Sequence, residues 1–402
     1  MVDQPSIIPV MRPWMDEREI EAVRRVISSG WVTQGPEVAN FEKEFSLFTG
    51  ASHACAVSSC TTALHLALLA LGIGHGDEVI TVSHSFIATA NSIRYCGALP
   101  VFVDVQPDTY NMEPSLIERV ITERTRAILC VHQMGMPCDL EAIVDIGKRH
   151  HLPVIEDAAC ALGSDILWEG KWEKIGKPHG LLSCFSFHPR KLVSCGDGGM
   201  ITTDDPDLDR KFRLLRHHGM SVSDSARHSS EQVVFEGYDT LGYNYRMTDI
   251  QAAVGREQLK KMPTIITHRQ TLARHYFKLL SEIPDLGLPF QPPWARSNWQ
   301  SLCIRLPQGC IQRDVMQAML DMGIQTRRGI MCAHREKAYP VDSWSCGISP
   351  RECTCAPGCC IRLLVSEKAQ DECILLPLFY QMRDEDVERV VTSLSAVLHS
   401  TR

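Results

Sequence analysis

Between residues 53 and 203 the chain alternates short apolar runs with longer helical patterns, and this alternation limits the fold more than any other feature. Strand-like runs fall at residues 53–57, 78–82, 99–105, 127–132, 153–157, 181–187 and 200–203. Helical patterns stand between many of them, at residues 61–71, 86–96, 114–121 and 140–150. A strand that reaches its neighbour through a helix pairs with it in parallel, and a strand buried on both faces reads as a continuous apolar run. The pattern therefore predicts an α/β fold with a mainly parallel sheet covered by helices on both faces.

Two helical segments precede this region, at residues 15–29 and 38–48, separated by Gly30-Trp31-Val32-Thr33-Gln34-Gly35. In the first, Ile20, Val23, Val26 and Ile27 share one side. After it come a basic helix at 208–218, a polar surface loop at 221–237, and LGYNYRMTD (241–249) leading into a long helix from Ile250. From about residue 262 the pattern becomes α+β, with helices at 264–282, 313–322 and 385–398 and strands near 301–306 and 373–377. Two domains are expected: a large one at 1–261 and a smaller C-terminal one at 262–402.

Composition excludes some function classes. The chain has 402 residues, 44% of them hydrophobic and 22% charged, as ordinary globular proteins do. A formal charge of −7 gives no support for nucleic-acid binding. The N-terminus lacks a basic start followed by an apolar core, and the apolar run at 60–74 is too short to span a bilayer and contains His65. A cytoplasmic protein without membrane contact is expected. Of the 17 cysteines, most sit singly in apolar runs, as Cys55, Cys96, Cys130, Cys184 and Cys303 do, and read as small buried hydrophobes. The exception is Cys346, Cys353, Cys355, Cys359 and Cys360 in CGISPRECTCAPGCC. Their spacing is irregular, and a loop insertion without bound metal is expected.

Three stretches carry chemistry. FSFHPRKLVSCGDGGM (185–200) reads as a strand broken at His188-Pro189, a lysine, and glycines at 196, 198 and 199 opening a second strand. Glycines admit positive φ and close approach, and a half-buried Lys191 would lose pKa and become a nucleophile toward a carbonyl. Val154-Ile155-Glu156-Asp157 reads as a buried strand with Asp157 at its C-terminal end, where open α/β sheets bind ligands. Ser58-Ser59-Cys60-Thr61-Thr62 opens an apolar helix, whose free N–H groups make an anion seat. An amine, a carboxylate and a phosphate seat are what pyridoxal 5'-phosphate (PLP) requires.

In order along nearly the whole chain, these motifs resemble the PLP-dependent sugar aminotransferases of the DegT/DnrJ/EryC1/StrS group, of fold type I. The resemblance implies that Lys191 holds the cofactor aldehyde and later moves the proton. It assigns Asp157 to the pyridine nitrogen, Thr61, Thr62 and Ser186 to the phosphate, and Phe86 of HSFIATAN to the ring face. Cys160 stands where the family often has Gln or His beside the cofactor hydroxyl, and Cys60 replaces a usual Gly. The Gly30–Gly35 loop falls near the active site in the family. Asn244 of GYNYRMTD matches a residue serving the neighbouring subunit's cofactor, which implies a homodimer with shared sites. Arg327, Arg328 and His334 lie in a segment that resembles the nucleotide-sugar site. The implied reaction moves an amino group from an amino-acid donor, by analogy glutamate, to C3 or C4 of a keto sugar on a nucleoside diphosphate.

Two readings compete within this fold. Sugar dehydratases of the same group replace the lysine with histidine, and the chain keeps Lys191. A non-catalytic regulator would not need Lys191, Asp157 and Ser186 together. A nicotinamide-dependent oxidoreductase is excluded, because Gly196-Asp197-Gly198-Gly199 has neither the spacing nor the strand-to-helix setting of a dinucleotide fingerprint.

Overall fold

The structure, a computed structural model, describes residues 7–222, 232–348 and 356–400. Its first helix forms where the sequence supplies both caps. α1 (Glu17–Ser29) starts at Asp16, which forms a capping box with Glu19, and stops at Gly30, whose φ of 76° ends the turn. α2 (Pro36–Thr49) has proline in its first turn but no capping side chain of its own. Its N-terminal donors are taken from far along the chain. The Asp249 carboxylate accepts the N–H groups of Gly35 at 2.7 Å, Val38 at 3.0 Å and Glu37 at 3.1 Å.

The alternating region follows as β1 (His53–Val57), α3 (Cys60–Ala70), β2 (Glu78–Val82), α4 (Ala88–Tyr95), β3 (Leu99–Val103), β4 (Thr125–Val131), α5 (Leu140–Arg149) and β5 (Val154–Asp157). Then come β6 (Asp165–Trp168), β7 (Lys171–Lys174), β8 (Leu182–Ser186), β9 (Gly199–Thr203) and α6 (Pro206–Leu215). Seven strands form one sheet in the order β1-β9-β8-β5-β4-β2-β3. The run from β8 to β3 is parallel, and β9 lies antiparallel to both β8 and β1. All strands but β9 therefore end on the same edge. That edge carries Ser58, Ser83, Asp157 and Ser186 at or just beyond the strand ends. The mainly parallel, helix-covered sheet agrees with the sequence expectation.

Chain and expectation differ in three places. The helix expected at 114–121 is two short 3-10 turns, Pro114–Leu116 and Glu118–Val120. β6 and β7 form a hairpin the sequence did not announce, because Lys171-Trp172-Glu173-Lys174 is too charged to look like a strand. Its turn places Glu169 and Gly170 at positive φ. The two helices expected around residues 250 and 264–282 are one, α7 (Asp249–Leu280), which runs 32 residues through Pro263. α7 gives Met262 and Ile265 to the sheet's core, then Leu272, Ala273, Tyr276 and Leu280 to a second one.

The second core takes residues from β10 (Ala295–Arg296), β11 (Leu302–Arg305), α8 (Gln312–Asp321), β13 (Cys373–Leu376) and α10 (Asp384–Ser400), while β12 (Arg327–Arg328) pairs with β13 and α9 (Leu364–Glu372) gives Ala369 to the first core. Its centre is the antiparallel sheet β11-β13-β12, while β10 extends the β6–β7 hairpin. The cysteine-bearing segment lies along the edge strand β3. Ser345 exchanges backbone hydrogen bonds with Phe102 at 2.7 Å and Pro100 at 3.0 Å, and Trp344 packs on Phe102 beside buried Cys346 and Cys360. Covering an edge in this way blocks pairing with another chain. Cys359 is exposed, Cys353 and Cys355 lie outside the described residues, and no group among the described residues could hold a metal.

Replacing Asp249 with Ala leaves three N–H groups at the start of α2 without their acceptor. The expected loss is about 1–3 kcal/mol of stability, read from urea unfolding. An unchanged midpoint and slope would show that water replaces the carboxylate at no cost.

Candidate active site

The site begins with a close contact between two backbones. A Cβ on Gly199 would lie 2.5 Å from the Ser59 carbonyl and 2.7 Å from the Cys60 nitrogen, so only glycine lets β9 start against the N-terminus of α3. Gly199 pairs with Ser186 across β8–β9, which brings the Ser186 hydroxyl beside that helix end. Ser59 caps α3 by accepting the Thr62 N–H at 3.1 Å. The Thr62 hydroxyl is spent on the same box: it accepts the Ser59 N–H at 3.1 Å and donates to the Ser59 carbonyl at 2.8 Å. The N–H groups of Cys60 and Thr61, and the Thr61 hydroxyl, have no partner among the described residues. Two free N–H groups at the positive end of a helix make an anion seat.

Asp157 closes the second side. Its carboxylate is 5% exposed, and it accepts from the Thr89 hydroxyl at 2.7 Å and the Ala159 N–H at 3.2 Å. Burial pushes its pKa above the ordinary carboxylate value, while these donors, Lys191 and His132 pull the other way. His132 lies fully buried beneath it. Its Nδ1 accepts the Cys138 N–H, so in the neutral ring Nε2 carries the proton and donates to Glu156 at 3.0 Å.

Lys191 stands in the β8–β9 loop, which Gln300 ties down through the Arg190 carbonyl at 2.8 Å. The lysine amine donates to the Cys160 sulfur at 3.0 Å. Asn298 fixes Cys160 in turn, through its carbonyl at 2.9 Å. Here the structure corrects the sequence reading of a lowered lysine pKa. Burial pushes it down, but Cys160, Cys60 and Asp157 outweigh burial and hold it above the ordinary value.

Phe86 is 62% exposed, so it is no core residue of a helix face; its ring is open on the turn that carries Thr89. Asn244 is exposed and its backbone is bridged to His217, and among the described residues no hydrogen bond joins its side chain to Lys191, Cys160 or Asp157. Tyr245 beside it ties this loop to the site, since its carbonyl accepts the Ser58 N–H at 2.8 Å.

The three residues of the C-terminal segment part company. Arg327 and Arg328 line an open cavity of about 690 Å³ together with Arg190, Arg313, Gln312 and Gln325. Arg190 precedes Lys191, so this basic cleft adjoins the lysine loop. His334 lies elsewhere, 2% exposed, between the Ser83 hydroxyl at 2.6 Å and Glu367 at 3.0 Å. Ser83, His334 and Glu367 follow the order of a hydrolase triad, yet Ser83 is wholly buried and reaches no substrate. The three instead tie the C-terminal region to the end of β2. Sequence reasoning missed Arg190 and Arg313, which stand 123 positions apart in the chain and meet only in the fold.

The donor set fits pyridoxal phosphate: a helix end with free N–H groups, a buried carboxylate, an amine and an exposed aromatic ring on one sheet edge. The sequence pattern of the DegT/DnrJ/EryC1/StrS aminotransferase family matches residues 13–395. Among solved structures, the aminotransferase TlmJ from Streptoalloteichus hindustanus is similar at 30% identity and a TM-score of 0.87, over 99% of this chain and 100% of that one. S. venezuelae DesV is 31% identical with a TM-score of 0.83, over 98% and 99%. The putative sugar aminotransferase Spr1654 from Streptococcus pneumoniae, solved in a PLP-form, is 25% identical with a TM-score of 0.87, over 98% and 100%.

In cofactor-free protein, Cys160→Ala is expected to lower the pH at which Lys191 is acylated, because the sulfur that favours the ammonium is gone. Mass spectrometry of the Lys191 peptide across pH measures this. A profile that does not move would mean the thiol has no hold on the amine.

Proposed function

This chain belongs to the DegT/DnrJ/EryC1/StrS aminotransferase family, and from that premise we propose that it aminates C3 or C4 of a keto sugar carried on a nucleoside diphosphate, with glutamate as amino donor. That it is a PLP-dependent sugar aminotransferase of fold type I follows from the family and its structural neighbours. The observation that carries the finer reading is the cleft lined by Arg190, Arg313, Arg327 and Arg328 beside the lysine loop, a charge pattern suited to a diphosphate. Glutamate rests on the family resemblance. A panel of keto nucleotide sugars incubated with glutamate, read by product mass and NMR, tests the substrate. Amination of a free keto sugar as fast as any nucleotide-linked one would remove the diphosphate from the reading.

Pyridoxal phosphate, when bound, supplies an electron sink for the carbon next to the transferred nitrogen. The N–H groups of Cys60 and Thr61, with the Thr61 and Ser186 hydroxyls, would hold its phosphate. Thr62 would serve by fixing the helix start, Asp157 would face its ring nitrogen, and Phe86 would cover a ring face. Cys160 would stand near its hydroxyl. Lys191 Nζ would hold its aldehyde and, once free, carry the proton to and from the substrate carbon.

We place a large domain at residues 1–261 and a small one at 262–402, a division supported by the two hydrophobic cores, with α7 running across it. The homodimer with shared sites is supported by the exposure of Asn244 and of Val233 (85%), Phe235 (89%) and Leu241 (81%) close by in the chain. No helix among the described residues is long and apolar enough to cross a membrane, and we place the enzyme in the cytoplasm.

Borohydride reduction of the loaded enzyme is expected to fix the cofactor's mass on the Lys191 peptide, and Lys191→Ala should show no such adduct. Label on a different lysine would remove Lys191 from its role. For assembly, Lys191→Ala and a disabling Asn244 variant should each be nearly inactive alone. After subunit exchange about half the dimers are mixed, each with one intact site, and activity should return to roughly a quarter of wild type. A mixture as inactive as its parents, despite proven exchange, would mean that Asn244 serves its own chain.

A further inference from the structure

Asp157 must stay ionised and correctly aimed although it is buried, and the structure shows how the turn before α4 meets that need. The Thr89 hydroxyl lies 2.7 Å from Asp157 Oδ2 and 2.7 Å from the Ser85 hydroxyl. All three groups are buried, at 1% exposure for Thr89, 4% for Ser85 and 5% for Asp157. An ionised carboxylate only accepts, so Thr89 spends its single proton on Asp157. Its oxygen must then accept from Ser85, and the direction of the chain is fixed: Ser85 to Thr89 to Asp157. Residues 85 and 89 are one helical turn apart, and the Thr89 N–H closes that turn on the Phe86 carbonyl at 3.1 Å. The same four-residue step thus carries the relay and the exposed Phe86 ring.

The geometry points to Thr89 as a positioning residue of this aminotransferase, oriented by Ser85, that aims the Asp157 carboxylate and keeps it an acceptor. The inference rests on the reading of Asp157 as the ring-nitrogen partner. Neither serine nor threonine touches a reacting atom. Their effect passes through Asp157: a carboxylate with its donor withdrawn is a costlier anion in a buried site, and a weaker partner for a protonated ring nitrogen. Other groups also bear on this carboxylate: Lys191 from the β8–β9 loop, His132 from the end of β4 with its partner Glu156, and the thiols of Cys60 on α3 and Cys184 on β8. None of them is removed by a change at residue 89, which makes Thr89→Val a clean deletion of one proton donor at nearly constant shape.

The test has two arms. In cofactor-free protein labelled with 13C at the aspartate carboxyl carbons, Asp157 is assigned by the resonance missing from Asp157→Asn and titrated by NMR. Removing a donor to the anion raises its pKa, so Thr89→Val should titrate at higher pH than wild type. Thr89→Ser should return toward wild type, and Ser85→Ala should shift in the same direction by less. In the loaded enzyme, Thr89→Val should lower kcat about tenfold with little change in KM, the scale of one hydrogen bond to a charged group, and Thr89→Ser should restore it. If Asp157 titrates identically in wild type and in folded Thr89→Val, the relay is wrong. If the titration shifts and Asp157→Asn is impaired while Thr89→Val turns over at the wild-type rate, the positioning role is wrong. Should Thr89→Val fail to fold, Ser85→Ala carries both arms, and an unmoved titration there sinks the ordered relay. An active Asp157→Asn, with the titration shifted as expected, fails the reading of Asp157 rather than the relay's chemistry, and it overturns the positioning role with it.

Discussion

A carboxylate at 5% exposure is the constraint around which this molecule is arranged. Taking such an anion out of water is costly unless donors and opposite charges replace the lost hydration. At Asp157 those come from the turn before α4, from the backbone N–H of Ala159, from the β8–β9 loop through Lys191, and from beneath through His132. Each lies on or under the carboxyl edge of the sheet, which only a mainly parallel topology builds. The rest of the site inherits its place from that edge. α3 starts there because β1 ends there, and Lys191 reaches it because β8 turns back into β9.

Long-range contacts hold the surrounding elements to the same geometry. Asp249, at the start of α7, caps α2, so the helix spanning both cores also fixes the N-terminal helices. Glu42 on α2 is buried in turn and pairs with Arg213 and Arg216 at the end of α6, which also bond the carbonyls of Ala54 and Ala56 on β1. Breaking one side of such a buried pair leaves an uncompensated charge. At the C-terminal end, His334 links Ser83 to Glu367, and Asp104 accepts from the backbone N–H groups of Val365 and Ser366 at 2.9 and 2.8 Å.

The lysine itself illustrates how a local reading fails. A half-buried amine among few charges reads as one of lowered pKa. Folding brings Cys160 within 3.0 Å and Cys60 and Asp157 close behind, and the sum reverses the shift. Burial was legible in the apolar neighbours of Lys191. The charge balance was not, because it depends on residues 31, 34 and 131 positions away in the chain.

By itself the sequence determined the sheet, most of its strands to within two residues at either end, and the order of lysine, aspartate and helix start along the chain. Apolar runs, capping residues and glycines act locally, so their meaning survives without the fold. The hairpin β6–β7 escaped because its strands are charged, and the continuity of α7 because proline usually ends a helix. Tertiary structure alone decided that Asp249 caps α2, that Arg190 and Arg313 share a cleft with Arg327, and that His334 is buried in a linkage rather than lining that cleft. It also decided that the Ser85 hydroxyl meets that of Thr89, and that Thr89 in turn meets Asp157. The reason is the same in each case: hydrogen bonds and ion pairs act over about 3 Å in space and carry no mark of the 68 to 214 residues of chain that separate many of the partners.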